Sequence, residues 1–150
     1  MKEGDIIQKA KPYIVEIHDE YPQFKALKNL QDEIVSVIDY PVELSRIMVE
    51  ITGNLAGIGV LVAKLNSNSN ESYSNRKKRL QAEYMKVSGT VDDRKALARE
   101  ITEVEHETEL IDKYIYEVVR SFYNDCERLI TVIQSRLKVL QSERINSNAQ

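Results

Sequence analysis

Apolar residues recur at steps of three and four along most of the 150-residue chain. That spacing marks one face of a helix, whereas a half-buried strand alternates. The clearest instance lies at the C-terminal end. Leu97, Ile101, Val104, Thr108, Ile111, Ile115, Val118, Phe122, Cys126, Leu129, Ile133, Leu137 and Leu140 form one continuous stripe. Neither Gly nor Pro occurs from Thr90 onward. The pattern predicts a helix of about 50 residues, roughly 75 Å long at 1.5 Å per residue. Such a helix cannot bury its stripe against itself, so it needs other helices, from this chain or from other copies. Two successive steps of four at Val118–Phe122–Cys126 form a stutter that relaxes supercoiling locally. Tyr114 and Val119 widen the stripe and favour a bundle over a two-stranded coil.

Upstream the pattern is more broken. Pro12 interrupts any early helix, and YIVEI reads as a short strand or a helical turn. A helix from Pro22 to about Ile38 places Leu27, Leu30, Ile34, Val37 and Ile38 on one face. Pro41 suits the first turn of the next helix, which carries Leu44, Met48, Ile51, Leu55, Ile58, Val62 and Leu65. Gly53, Gly57 and Gly59 lie inside that helix, where each costs about 1 kcal/mol of propensity. They suggest a closely packed neighbouring backbone, a bend or a break. The polar stretch NSNSNESYSN (66–75) reads as a loop, followed by a basic helix to about Val87. Ser88-Gly89-Thr90 is a stop and restart, with Thr90 and Asp93 spaced as a capping box. The expected class is all-α: an N-terminal extension over 1–40, mixed or helical, and a helical domain over 41–150. Its long C-terminal helix packs in a bundle or coiled-coil-like oligomer.

Composition agrees with a helical chain: five Gly, three Pro, no Trp and 42% hydrophobic residues. A single cysteine, Cys126, excludes an internal disulfide, and MKEGDIIQKA has no long apolar run. Both point to a reducing cytoplasm. The longest apolar or Gly run, LAGIGVLVA, falls short of the roughly 20 residues of a membrane span, so no membrane association is expected. The net charge of -3 hides strong segregation. Residues 71–99 hold eight Lys or Arg against four acids, whereas residues 100–127 hold two against nine.

Candidate chemistry is sparse. Glu103-x-x-His106 has the spacing of a di-iron ligand pair, but such sites need two of these motifs and two further Glu. The pairs Glu100/Glu103 and Glu109/Asp112 resemble the metal-binding pairs of all-helical nucleotide pyrophosphohydrolases. On one straight helix they cannot converge on one ion, so a solvated acidic face is the simpler reading. Two histidines in weak contexts make no triad, and Cys126 on the apolar stripe reads as a structural thiol. GNLAGIG is not a dinucleotide fingerprint, because it follows no strand. No catalytic residue, metal or cofactor is therefore expected.

The basic block is the remaining candidate. Arg76, Lys77, Lys78, Arg79 and Lys86 could contact phosphates, joined by Arg94, Lys95 and Arg99. Tyr73 and Tyr84 interleave with them, and aromatic rings are platforms for unpaired bases. Lys77 and Tyr84, seven apart, share a helical face. Four consecutive charges encircle a helix, however, and cannot all face one ligand. A solvated or ion-paired face is the competing reading, with the acidic block as partner.

The tail CERLITVIQSRLKVLQSE (126–143) resembles the UvsY recombination mediators of tailed phages. Cys126, Ile133, Ser135 and Arg136 stand at the family's spacing, and NRKKRLQAEYMKVSG resembles its Lys/Arg-rich helix. The similarity covers roughly residues 41–143. It implies a non-enzymatic, homo-oligomeric protein that binds single-stranded DNA and helps load a RecA-like recombinase onto strands coated by single-strand binding protein. It would act in the cytoplasm of a host cell. The matching positions are Arg76, Lys77, Lys78 and Arg79 for DNA, with Tyr84 and Lys86 beside them, and Leu129, Ile133, Leu137 and Leu140 for assembly. The alternative is a phage-encoded helical adaptor or inhibitor that binds only protein.

Overall fold

The computed structural model describes residues 3–149. Among them the chain forms five helices and no strand: α1 (Glu3–Glu20), α2 (Gln23–Val37), α3 (Pro41–Lys86), α4 (Val91–Ile101) and α5 (Glu103–Asn148). The all-α expectation holds, with a long C-terminal helix packed against other helices. Their contacts resolve into two compact units. One combines the N-terminal stretch through Glu16 with Val62–Val119, and the other combines Ile17–Leu61 with the chain from Arg120 onward. α2 belongs to the second unit and most of α1 to the first.

The second unit holds most of the apolar core. α2 contributes Phe24, Leu27, Leu30 and Ile34; α3 contributes Leu44, Ile47, Ile51, Leu55, Ile58 and Leu61; α5 contributes Cys126 and Ile133. Full burial of each large aliphatic side chain is worth about 1.5–3 kcal/mol. Phe24 is sandwiched in this unit, stacked on His18 at 4.5 Å and tilted against Phe122 at 5.3 Å. The three glycines of α3 neither break the helix nor admit a backbone. Gly57 faces the Gln23 side chain at 3.1 Å from an ideal Cβ, Gly59 faces the Tyr123 ring at 3.5 Å, and Gly53 faces open space. Arg136 closes the end of α2, donating to the Ile38 carbonyl at 3.4 Å and pairing with Asp39. A cation there complements the negative end of the helix dipole.

Three sequence expectations change. α1 runs through Pro12. Proline removes one backbone donor, but Pro12 and Gln8, whose carbonyl loses its partner, are both exposed, so water can satisfy that carbonyl. The stretch 66–75 is helical, not a loop, and α3 continues unbroken to Lys86. Its short polar residues keep the three-four rhythm: Val62, Leu65, Ser69, Ser72, Arg76, Leu80 and Glu83 are all half-buried. The expected 50-residue helix is divided at Thr102, whose backbone leaves helical geometry (φ -100°, ψ 18°). Around the break the buried face is not the expected stripe. Ala98 and Thr102 are buried, while Leu97, Ile101 and Val104 are exposed.

Among the described residues one helix, α3, is long and apolar enough by length and composition to cross a bilayer, with a mean hydropathy of 1.5 over its best window. The apolar residues of its first half divide between the buried stripe and outward-facing Val42, Val49 and Val60.

Two outcomes follow for stability. Ile47→Ala should cost about 2–5 kcal/mol in denaturant unfolding, whereas Val49→Ala on the exposed face should change it by about 0.5 kcal/mol or less. Burial raises the Cys126 thiol above its ordinary range, offset in part by the Gln31 amide donating to Sγ at 3.3 Å. The folded state therefore keeps its proton where the unfolded chain loses it. That contribution is complete below about pH 8.5 and declines as pH rises through the raised folded value. Unfolding curves for wild type and Cys126→Ala should accordingly converge above about pH 8.5.

Candidate nucleic-acid interface

The first unit is built differently. Its fully buried residues are few and mostly small: Ala10, Ala98, Thr102, Ile115 and Val119. Where α3 loses its large apolar side chains, it meets the acidic stretch of α5 through polar pairs. Ser72 donates to Asp112, Arg76 pairs with Glu109, and Arg79 Nη1 lies 3.4 Å from Glu105. Positions 72, 76 and 79 ascend α3 as 112, 109 and 105 descend α5, so the two helices run antiparallel in this unit. The steps of three and four keep each rung on the facing surfaces. Arg79 is shared with Glu83 at 3.2 Å, and Lys86 reaches the same carboxylate at 3.2 Å. Lys9 of α1 pairs with Glu107 of α5.

This seam divides the basic cluster. Arg76 turns inward, with its side chain 24% exposed against a Glu109 that is 13% exposed. Arg79 and Lys86 are committed to carboxylates. Lys77 and Lys78 are exposed and make no ion pair among the described residues. The six positions expected to contact DNA are therefore not one surface: Arg76 belongs to the helix seam, and Lys77 and Tyr84 belong to a groove on another face of α3.

That groove forms where α4 folds back along α3. Gly89 makes the reversal with φ +122°, a backbone conformation that disfavours side chains. Thr90 then caps α4, accepting from the Asp93 amide at 3.2 Å. Arg94 braces the corner. Its guanidinium lies 4.4 Å from the centroid of the Tyr84 ring, and its Nη2 donates to the Tyr84 carbonyl at 2.9 Å. Between the helices lies an open groove of about 360 Å³, lined by Lys77, Leu80, Gln81 and Tyr84 of α3 and by Lys95, Ala98 and Arg99 of α4. Lys95 and Arg99, like Lys77, have no acidic partner among the described residues. Both walls repeat one helical spacing, 77-80-81-84 and 95-98-99. That shared spacing was the available sequence signal for Leu80, Gln81 and Ala98, but only if α4 was known to lie on α3.

The remaining candidates have ordinary surroundings. His106 Nδ1 sits 3.4 Å from Glu109, which Arg76 already engages, and Asp112 is held by Ser72. Among the described residues no group of three or more His, Cys, Asp or Glu converges in a way that could hold a metal ion. Of the positions expected to mediate assembly, Ile133 is wholly buried in the second unit's own core, while Leu129, Leu137 and Leu140 are half-buried. Comparisons with protein families, with curated proteins and with solved structures find no match.

The seam makes a prediction of its own. Glu109→Gln leaves Arg76 inward-facing without its counter-charge and should destabilise the fold by about 1–3 kcal/mol. Glu117→Gln, on the same helix, breaks only an exposed 3.9 Å pair with Lys113 and should cost less than about 0.5 kcal/mol. Hydrogen exchange over residues 72–80 should accelerate in the first variant and not in the second.

Proposed function

We propose that this chain is a non-enzymatic helical protein that binds single-stranded DNA at the α3–α4 corner and acts as a recombination mediator. In that role it helps load a RecA-like recombinase onto strands held by single-strand binding protein. One observation carries the DNA-binding part. In a net acidic chain, Lys77, Lys95 and Arg99 stand exposed without acidic partners around one groove, beside a tyrosine, and Lys78 is exposed next to Lys77. Phosphates are the complement of such a surface, and an aromatic ring suits unpaired bases. The recombinase-loading part rests on the sequence resemblance over roughly residues 41–143. Assembly of several copies would gather weak contacts into strong binding by multivalency, with Leu129, Leu137 and Leu140 as the residues available for it.

A second reading, a helical adaptor that binds only protein, is favoured by a specific observation. Arg76, Arg79 and Lys86 already have carboxylate partners within the chain, so the densest part of the basic sequence is not free for phosphate.

A titration of labelled oligo(dT) at two salt concentrations separates the two. With about four phosphates neutralised, affinity should fall roughly 50-fold between 50 and 200 mM salt, since released counterions drive such binding. Replacing Lys77, Lys78, Lys95 and Arg99 together by Ala should abolish binding and leave the helical fold intact. Absence of binding by folded wild-type protein at low salt would favour the adaptor.

A further inference from the structure

We infer that the groove between α3 and α4 is a base-binding pocket that receives one unstacked nucleobase of a single strand, with the adjoining phosphates held by Lys77, Lys95 and Arg99. The inference rests on the single-strand reading and specifies its contact.

The lining decides what the groove can hold. Its floor is hydrocarbon, from Leu80 and the small, buried Ala98, and the Tyr84 ring forms part of its wall. An inorganic phosphate would gain nothing from that floor. A flat, partly apolar ring bearing a phosphate on either side matches both floor and rim. The volume, about 360 Å³, falls within the range of small-ligand clefts, roughly 300–1,000 Å³. Gln81 adds an exposed carboxamide with no hydrogen bond among the described residues. It carries both donor and acceptor and can meet the edge of any base.

The cations stand where flanking phosphates would lie. Lys77 is one turn before Leu80 and Gln81 on α3, and Lys95 and Arg99 flank Ala98 on α4. The walls are also fixed before any ligand arrives. Arg94 locks Tyr84 from α4, and Gly89 with Thr90 sets the corner. A pre-formed cleft loses less ordering entropy on binding. Arg76 and Arg79 lie outside this constellation and hold α3 to α5 instead.

The test compares two strands of equal charge on unmodified protein: oligo(dT) and an oligonucleotide of the same length made of abasic sites. It adds Ala98→Leu, which fills the groove floor with aliphatic bulk and leaves every cation in place. Oligo(dT) should bind wild type about tenfold more tightly than the abasic strand, as base–aromatic contacts elsewhere do. Ala98→Leu should erase that difference while keeping the salt dependence of the abasic strand. Equal binding of both strands to wild type overturns the pocket and leaves the single-strand reading standing. Failure of both strands to bind overturns the two together, and binding of an acidic leucine-containing peptide in their place would assign the groove to a protein partner.

Discussion

A helix of 46 residues needs a partner at nearly every turn, and this chain contains two such helices, α3 and α5. Neither has an apolar stripe of uniform strength. In the second unit α3 buries Leu44 through Leu61, and the hydrophobic effect does the matching. In the first unit α3 presents Ser69, Ser72 and Arg76 on its partly covered face, and the matching passes to the hydroxyl–carboxylate and arginine–carboxylate pairs with α5. Polar pairs add little net stability when exposed, but they set register strongly, because a slip would set charges against the wrong neighbours. The first unit is thus specified by charge and the second by volume.

That division explains why one run of four cations has several destinations. Successive residues on a helix turn by about 100°, so Arg76, Lys77, Lys78 and Arg79 cannot share a surface. Arg76 and Arg79 meet carboxylates, while Lys77 turns toward the groove. The segregation of charge along the sequence, basic over 71–99 and acidic over 100–127, is partly an intramolecular complement. The cations left over after this internal pairing are those the proposed DNA contact uses. The resemblance motif also has internal work to do: Cys126 accepts from Gln31, Ile133 lies in the core, and Arg136 closes the end of α2.

Much of the fold was legible because periodicity and breakers act locally. The start of α3 at Pro41, the stop at Ser88-Gly89-Thr90 and the cap of α4 were readable from their own residues. Each misreading has its own physical reason. Asn- and Ser-rich 66–75 has weak helix propensity, yet it is helical because it lies between two strongly helical segments and presents Ser69 and Ser72 to a partner. Pro12 reads as a breaker, but its lost hydrogen bond falls on a solvated surface. The stripe residues Leu97, Ile101 and Val104 are exposed because α4 packs on its small residues and helical geometry breaks at Thr102.

By itself, the sequence determined that the chain is helical, where most helices begin and which segments carry charge. These are properties of composition and of neighbours within one or two turns. Only the tertiary structure decided which cations are free and which are engaged, because an ion pair such as Arg76–Glu109 depends on how α5 lies along α3. It alone also placed Lys95, Ala98 and Arg99 opposite Lys77, Leu80 and Tyr84. A groove exists only when two helices meet, and a helical repeat read along one chain carries the faces but not their pairing.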